Sequence, residues 1–205
     1  MDYLSNLFFG FLIAAVGIIL PGLINMTSVS VCLKRGLRAG LFYSAGAATT
    51  IFLQALIAVV FADYLSEHEE IFPMIKKLAI VIFLVLSGLF LYQALQVKEV
   101  KASQRQGKAF GLGLLIAAMN PLNIPYYFTF STFLEIESWI TLQSPQFLAF
   151  VLGTSLGGLT MLAAYAYFAV YIAKRAQYFT RNINYFLSGL FLVLAMVQIV
   201  QLVVG

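Results

Sequence analysis

Residues 7–38 read LFFGFLIAAVGIILPGLINMTSVSVCLKRGLR, and this stretch decides the fold. From Leu7 to Leu33 it carries no charge. That exceeds the roughly 20 residues a helix needs to cross about 30 Å of hydrocarbon. Lys34, Arg35 and Arg38 close it, as basic residues close a span at a membrane surface. No basic residue precedes it, so a span is expected here rather than a secretory signal peptide. In its middle stands Pro21–Gly22. Proline lacks an N–H and clashes with the carbonyl four residues earlier, so the helix is expected to break there.

The rest of the chain repeats the pattern. Of 205 residues, 62% are hydrophobic and 10% charged, with a mean hydropathy of +0.95. Soluble domains run nearer half apolar and a quarter charged, so lipid is the expected solvent. Apolar segments of spanning length lie at roughly 7–33, 39–61, 75–97, 109–134, 146–172 and 184–204. They lack the alternation of a transmembrane barrel. Six transmembrane helices in one transporter domain, residues 1–205, are therefore predicted.

Charge orients them. Lys34, Arg35 and Arg38 lie in the first loop, Lys98, Lys101, Arg105 and Lys108 in the third, and Lys174, Arg175 and Arg181 in the fifth. Only Lys76 and Lys77 fall on the other side, with Asp2, Asp63, Glu67, Glu69, Glu70, Glu135 and Glu137. Basic loops stay in the cytoplasm, so both termini are expected outside. The basic loops then need no nucleic-acid partner.

The fourth span contains a second interruption, MNPLNIPYY, with Pro121 and Pro125. An offset of 100 residues lays Pro21 over Pro121, Gly17 over Ala117 and Asn25 over Pro125. With three spans per half, repeat one (about 1–98) and repeat two (about 108–205) enter from opposite faces, the inverted repeat of many secondary transporters. Both breaks fall near mid-membrane. Pro21 frees the carbonyl of Gly17; Pro121 and Pro125 free those of Ala117 and Pro121. Such carbonyls must face protein, water or a ligand, and each restarted half-helix presents N–H groups with partial positive charge. Acceptors and donors at short separation suit an ammonium and a carboxylate, the two ends of a zwitterion. A single proline is more readily explained by helix kinking; the matched pair favours a site.

Candidate substrate-binding residues are therefore Gly17, Pro21, Gly22, Asn25, Gln54, Ala117, Asn120, Pro121, Asn123, Tyr126 and Tyr165. The asparagines could equally serve loosened backbone, and the tyrosines could simply pack. Gln54 has no proline to serve and is read as facing a cavity. Gly36, Gly40, Gly46, Gly153, Gly157 and Gly158 are read as close-packing or hinge positions.

Absences narrow the chemistry. No Asp, Glu, Lys, Arg or His lies securely within a span, so a divalent-cation site lacks its charged oxygen ligands. Cys32 is the only cysteine, which excludes a thiol relay. No buried acid, base or paired nucleophile is visible for an enzyme. No metal and no cofactor are expected.

The PG of span 1, the basic turn KRGLRAG and the stretch GKAFGLGLLIAAMNP of span 4 together resemble the lysine exporter (LysE) family of amino-acid efflux proteins, with the homoserine/threonine exporter branch most similar. The residues matching family motifs are Pro21, Gly22, Gly36, Gly40, Gly46, Asn120, Pro121 and Phe128. The resemblance implies a bacterial inner-membrane exporter coupled to protons. Leu23 stands where the family usually has a second proline. Tyr126 stands where members exporting basic amino acids place an aspartate, which implies a neutral substrate. The expectation is an exporter of neutral amino acids or related small zwitterions, working by alternating access. A homo-oligomer is admitted. The alternatives are transport of another solute or ion on this scaffold, and a non-transporting membrane subunit.

Overall fold

A computed structural model of the chain describes residues 3–19, 22–67, 109–120 and 122–173, with scattered helical positions between 80 and 95 and short helical runs between 185 and 200. Pro21, Pro121 and the basic loop 98–108 lie outside the described residues, as do most of the segment assigned to span 3 and part of that assigned to span 6. Every element among the described residues is helical. This is what lipid requires of a backbone that has no water to bond.

The chain divides into two units, one formed by Met1–Tyr64 and Val100–Lys174, the other by Leu65–Glu99 and Arg175–Gly205. The first contains α1 (Tyr3–Ile18), α2 (Leu23–Arg35), nearly all of α3 (Leu37–Glu67), α4 (Ala109–Ala118), α5 (Asn123–Ile136), α6 (Phe147–Tyr167) and α7 (Ala169–Ala173). Leu37–Ala62 and Phe147–Tyr167 are each long and apolar enough to cross a membrane. The pairs α1–α2 and α4–α5 pass the same test jointly, bent by 77° and 68° at their breaks. Among the described residues up to four spans are thus visible by length and composition, against the six expected of the whole chain.

Glycine sets how these helices meet. A Cβ on Gly10 of α1 would run into the Phe150 carbonyl of α6, and one on Gly153 of α6 into the Leu7 carbonyl of α1. Gly157 meets the Phe11 carbonyl in the same way. The second helix pair repeats this arrangement. Gly46 of α3 faces the Phe110 carbonyl of α4, and Gly113 of α4 faces the Tyr43 carbonyl of α3. In all four helices the glycine stands three residues after the carbonyl that receives its partner. Backbone contact this close needs residues without side chains.

Gly36 has a different role. It closes α2 at φ 85° with its N–H on the Cys32 carbonyl at 2.8 Å, and open space surrounds the position a Cβ would take. Its positive φ makes the turn into α3.

Buried polar side chains tie the unit further. Asn6 of α1 has no exposed surface. Its Nδ2 donates to the carbonyls of Thr141 (2.7 Å) and Gln146 (2.9 Å), and its Oδ1 accepts from the Thr141 N–H. Glu135 accepts from the Leu142 N–H at 2.9 Å, and Trp139 stacks on Phe9. The α5–α6 connection is thereby strapped onto the start of α1.

In the second unit, Ser87 and Ser188 exchange hydrogen bonds: each hydroxyl donates to the other's carbonyl, at 2.9 and 3.0 Å. Both serines belong to the same hexapeptide, LSGLFL, at 86–91 and again at 187–192.

Candidate solute site at two helix breaks

The first break separates α1 from α2. Ile18 ends α1, and its N-terminal neighbours leave carbonyls that no further helical turn can satisfy. Two side chains take carbonyls at this end, and a third bonds a carbonyl more than a turn earlier in α1. Asn25 Nδ2 donates to the Ile18 carbonyl at 2.6 Å, Tyr165 Oη to that of Ile19 at 2.7 Å, and Tyr126 Oη to that of Ile13 at 2.9 Å. The Tyr126 ring lies against Gly17, about as close as a Cβ there would allow. On the other side Gly22 caps α2 in extended conformation, without a side-chain cap hydrogen bond and with open space where a Cβ would stand. No side chain caps the donor end of this break, while side-chain donors cover carbonyls at its acceptor end.

The second break is held differently. Gln54, buried in α3, reaches across it. Its Nε2 donates to the Ala117 carbonyl at 3.1 Å, and its Oε1 accepts from Asn123 Nδ2 at 2.7 Å. Asn123 Oδ1 accepts from Asn120 Nδ2 at 2.8 Å, and Asn120 Oδ1 accepts from the Leu122 N–H at 3.2 Å. The relay begins on the last turn of α4 and ends on the residue that caps α5.

Two sequence expectations change here. The Ala117 carbonyl, freed by the break, is not left open, because it accepts from Gln54 and also from the Asn120 N–H at 3.1 Å. Pro125 adds no further break. It is the third residue of α5, where a residue has no helical partner four positions back, so its missing N–H costs nothing.

The structure therefore sorts the candidates into two sets. Gly17, Gly22, Asn25, Tyr126 and Tyr165 belong to the first break, and Gln54, Ala117, Asn120 and Asn123 to the second. Tyr126 joins them, since it lies in the first turns of α5 while its hydroxyl and ring rest on α1. Pro21 and Pro121 lie outside the described residues. Of the glycines, Gly40 meets Ala166 and Cys32, and Gly158 meets Ile51.

A further buried polar group flanks the first break. Tyr43 Oη donates to the Ile24 carbonyl at 3.0 Å, and Ser28 Oγ lies 3.4 Å from Ser44 Oγ and donates to the Leu162 carbonyl at 3.1 Å. Tyr43 carried no sequence signal, being one aromatic among many. Among the described residues no cluster of His, Cys, Asp and Glu could hold a metal ion. Amides, hydroxyls and backbone dipoles line both breaks. Such groups can hold a solute by hydrogen bonds.

Residues 15–202 match the family described as LysE type translocator. The chain belongs to that family. As a LysE type translocator it is a multi-pass membrane protein that moves amino acids or other small solutes out of the cell, and the family is one of transporters rather than enzymes. The resemblance read from PG, KRGLRAG and MNP is thus borne out at family level. Neither the curated proteins nor the solved structures compared with this translocator contain a match.

Proposed function

We propose that this translocator exports neutral amino acids, or closely related small zwitterions, across the bacterial inner membrane by alternating access coupled to protons. The observation that carries the reading is the pair of bent half-helices joined by Tyr126 and lined by Asn, Gln and Tyr without a fixed charge. A net-charged solute would leave an uncompensated charge in such a site. A zwitterion brings both of its own.

The first break accounts for both ends of such a solute. The positive end of the α2 dipole, where Gly22 offers no side-chain cap, suits a carboxylate. The donors of Asn25 and Tyr165 now stand on the Ile18 and Ile19 carbonyls, where an ammonium would bind. An arriving ammonium displaces them and makes charge-assisted bonds to the same carbonyls.

An inverted repeat supports alternation between two faces. Three pairs favour it: Leu7/Gly10 with Phe110/Gly113, Phe150/Gly153 with Tyr43/Gly46, and Ser87 with Ser188. The first pair matches at an offset of 103 and the breaks at about 100, so α1 runs about one turn further past its glycine than α4 does. On this reading the close-packed pairs α1–α6 and α3–α4 each take one helix from either repeat. Rocking then moves these mixed pairs rather than whole repeats. The basic loops support an orientation with both termini outside, and the homoserine/threonine exporters are the branch proposed for this chain.

The test is intracellular accumulation of amino acids released from fed dipeptides, with and without the gene. Faster efflux of at least one neutral amino acid is expected in cells carrying it. Identical efflux of every neutral amino acid would refute the proposal.

A further inference from the structure

Gln54 sits in the middle of α3 and belongs to neither broken pair, yet it is bonded to both sides of the second break. Its amide donates to the last turn of α4 at Ala117 and accepts from the first residue of α5 at Asn123. Asn123 and Asn120 then close the chain of bonds onto Leu122 N–H. Donor and acceptor alternate along the whole relay, so each amide's orientation is set by the next. A buried side chain that both donates and accepts across a helix break fixes the angle and rotation of the two halves.

We infer that Gln54 is a positioning residue of the transport cycle: it holds the second break as a fixed corner through Asn123 and Ala117, and leaves contact with the solute to the first break. The inference rests on the solute reading above and deepens it by dividing labour between the two breaks. The first break has a donor end without a side-chain cap and carbonyls covered by displaceable side chains. At the second, the Gln54 carbonyl, the Asn123 amide and the Ala117 carbonyl are all engaged with one another. A solute there would have to break the relay in order to bind.

Gln54→Met and Gln54→Glu separate this role from the alternatives. Methionine has similar length and neither donor nor acceptor. Ionised glutamate accepts from Asn123 but cannot donate to the Ala117 carbonyl. Protonated glutamate can do both. The partners in the relay, Asn123 and Asn120, do not titrate. The measurement is counterflow of a mixture of isotopically labelled neutral amino acids into proteoliposomes, over a series of pH values, alongside melting of each variant in detergent.

Gln54→Met is expected to lower the maximal rate about tenfold at every pH, with KM changed less than about twofold, the size of a lost buried hydrogen-bond pair. Gln54→Glu should match it at alkaline pH and regain both rate and melting temperature as the pH falls, relative to wild type. A KM that rises while the maximal rate holds would make Gln54 a solute ligand and overturn the inference. So would equal behaviour of the two variants at all pH values. If wild type moves none of the probe mixture but Gln54→Glu melting still recovers in acid, the corner stands and the neutral-amino-acid reading falls.

Discussion

Tyr165 shows how much one hydroxyl carries. Buried in α6, it donates to the Ile19 carbonyl at 2.7 Å, at the place assigned to an ammonium. Tyr165→Phe removes the donor and leaves that carbonyl unpaired, at a cost of about 1–3 kcal/mol in the empty protein. It also removes the group that a solute must displace. Stability should therefore fall while KM for the transported amino acid decreases, and the two are read from detergent melting and from initial rates. An increase of KM beyond severalfold would mean that the hydroxyl binds solute directly. Gly22 offers a control nearby. Its φ of −131° and ψ of −172° suit any residue, and nothing lies within 4 Å of a Cβ there. Gly22→Ala should leave the melting temperature unchanged, so any loss of transport reports on the space the solute needs.

Among helices, the decisive contacts are those where backbone meets backbone. Gly153 against Leu7, and Gly113 against Tyr43, leave no room for a methyl group. Gly153→Ala and Gly113→Ala should each destabilise by about 1–3 kcal/mol, as overpacking does. Gly111, which has open space around it, should tolerate alanine apart from any effect on helix propensity. Thermal melting of the purified variants decides. If the Gly113 and Gly111 variants melt alike, the α3–α4 contact is not as close as described. The strap at Asn6 acts at this scale too. Its three bonds join α1 to the α5–α6 connection, so α1, the connection and α6 are built to move together.

At the scale of the molecule, the charges make a topological prediction. Cysteines placed singly at Lys101 and at Glu69, in a Cys32→Ser background, should be labelled by an impermeant thiol reagent from opposite sides. Glu69 is expected to react in intact cells and Lys101 only after the membrane is opened. Labelling of both from outside would discard the six-span arrangement and the inverted repeat with it. The repeated hexapeptide LSGLFL, with Ser87 and Ser188 bonded to each other, is the part of that arrangement a direct comparison of the two halves of the sequence can find. Aligning the halves on their prolines passes over it.

Much of this was legible in order along the chain. Continuous apolar runs force helices, because hydrocarbon leaves the backbone no other partner. Pro21–Gly22 and the Asn120–Pro121 pair mark where two of them break, and the short motifs around those breaks point to the family. All of that is local: it depends on neighbours within a few turns. What the tertiary structure alone decided is which donor meets which freed carbonyl. Gln54 reaches Ala117, and Tyr165 reaches Ile19, over separations of 63 and 146 residues. Distance along the chain says nothing about such pairs. They follow from glycines that let α1 close on α6 and α3 on α4, and so bring buried polar groups within the 3 Å a hydrogen bond demands.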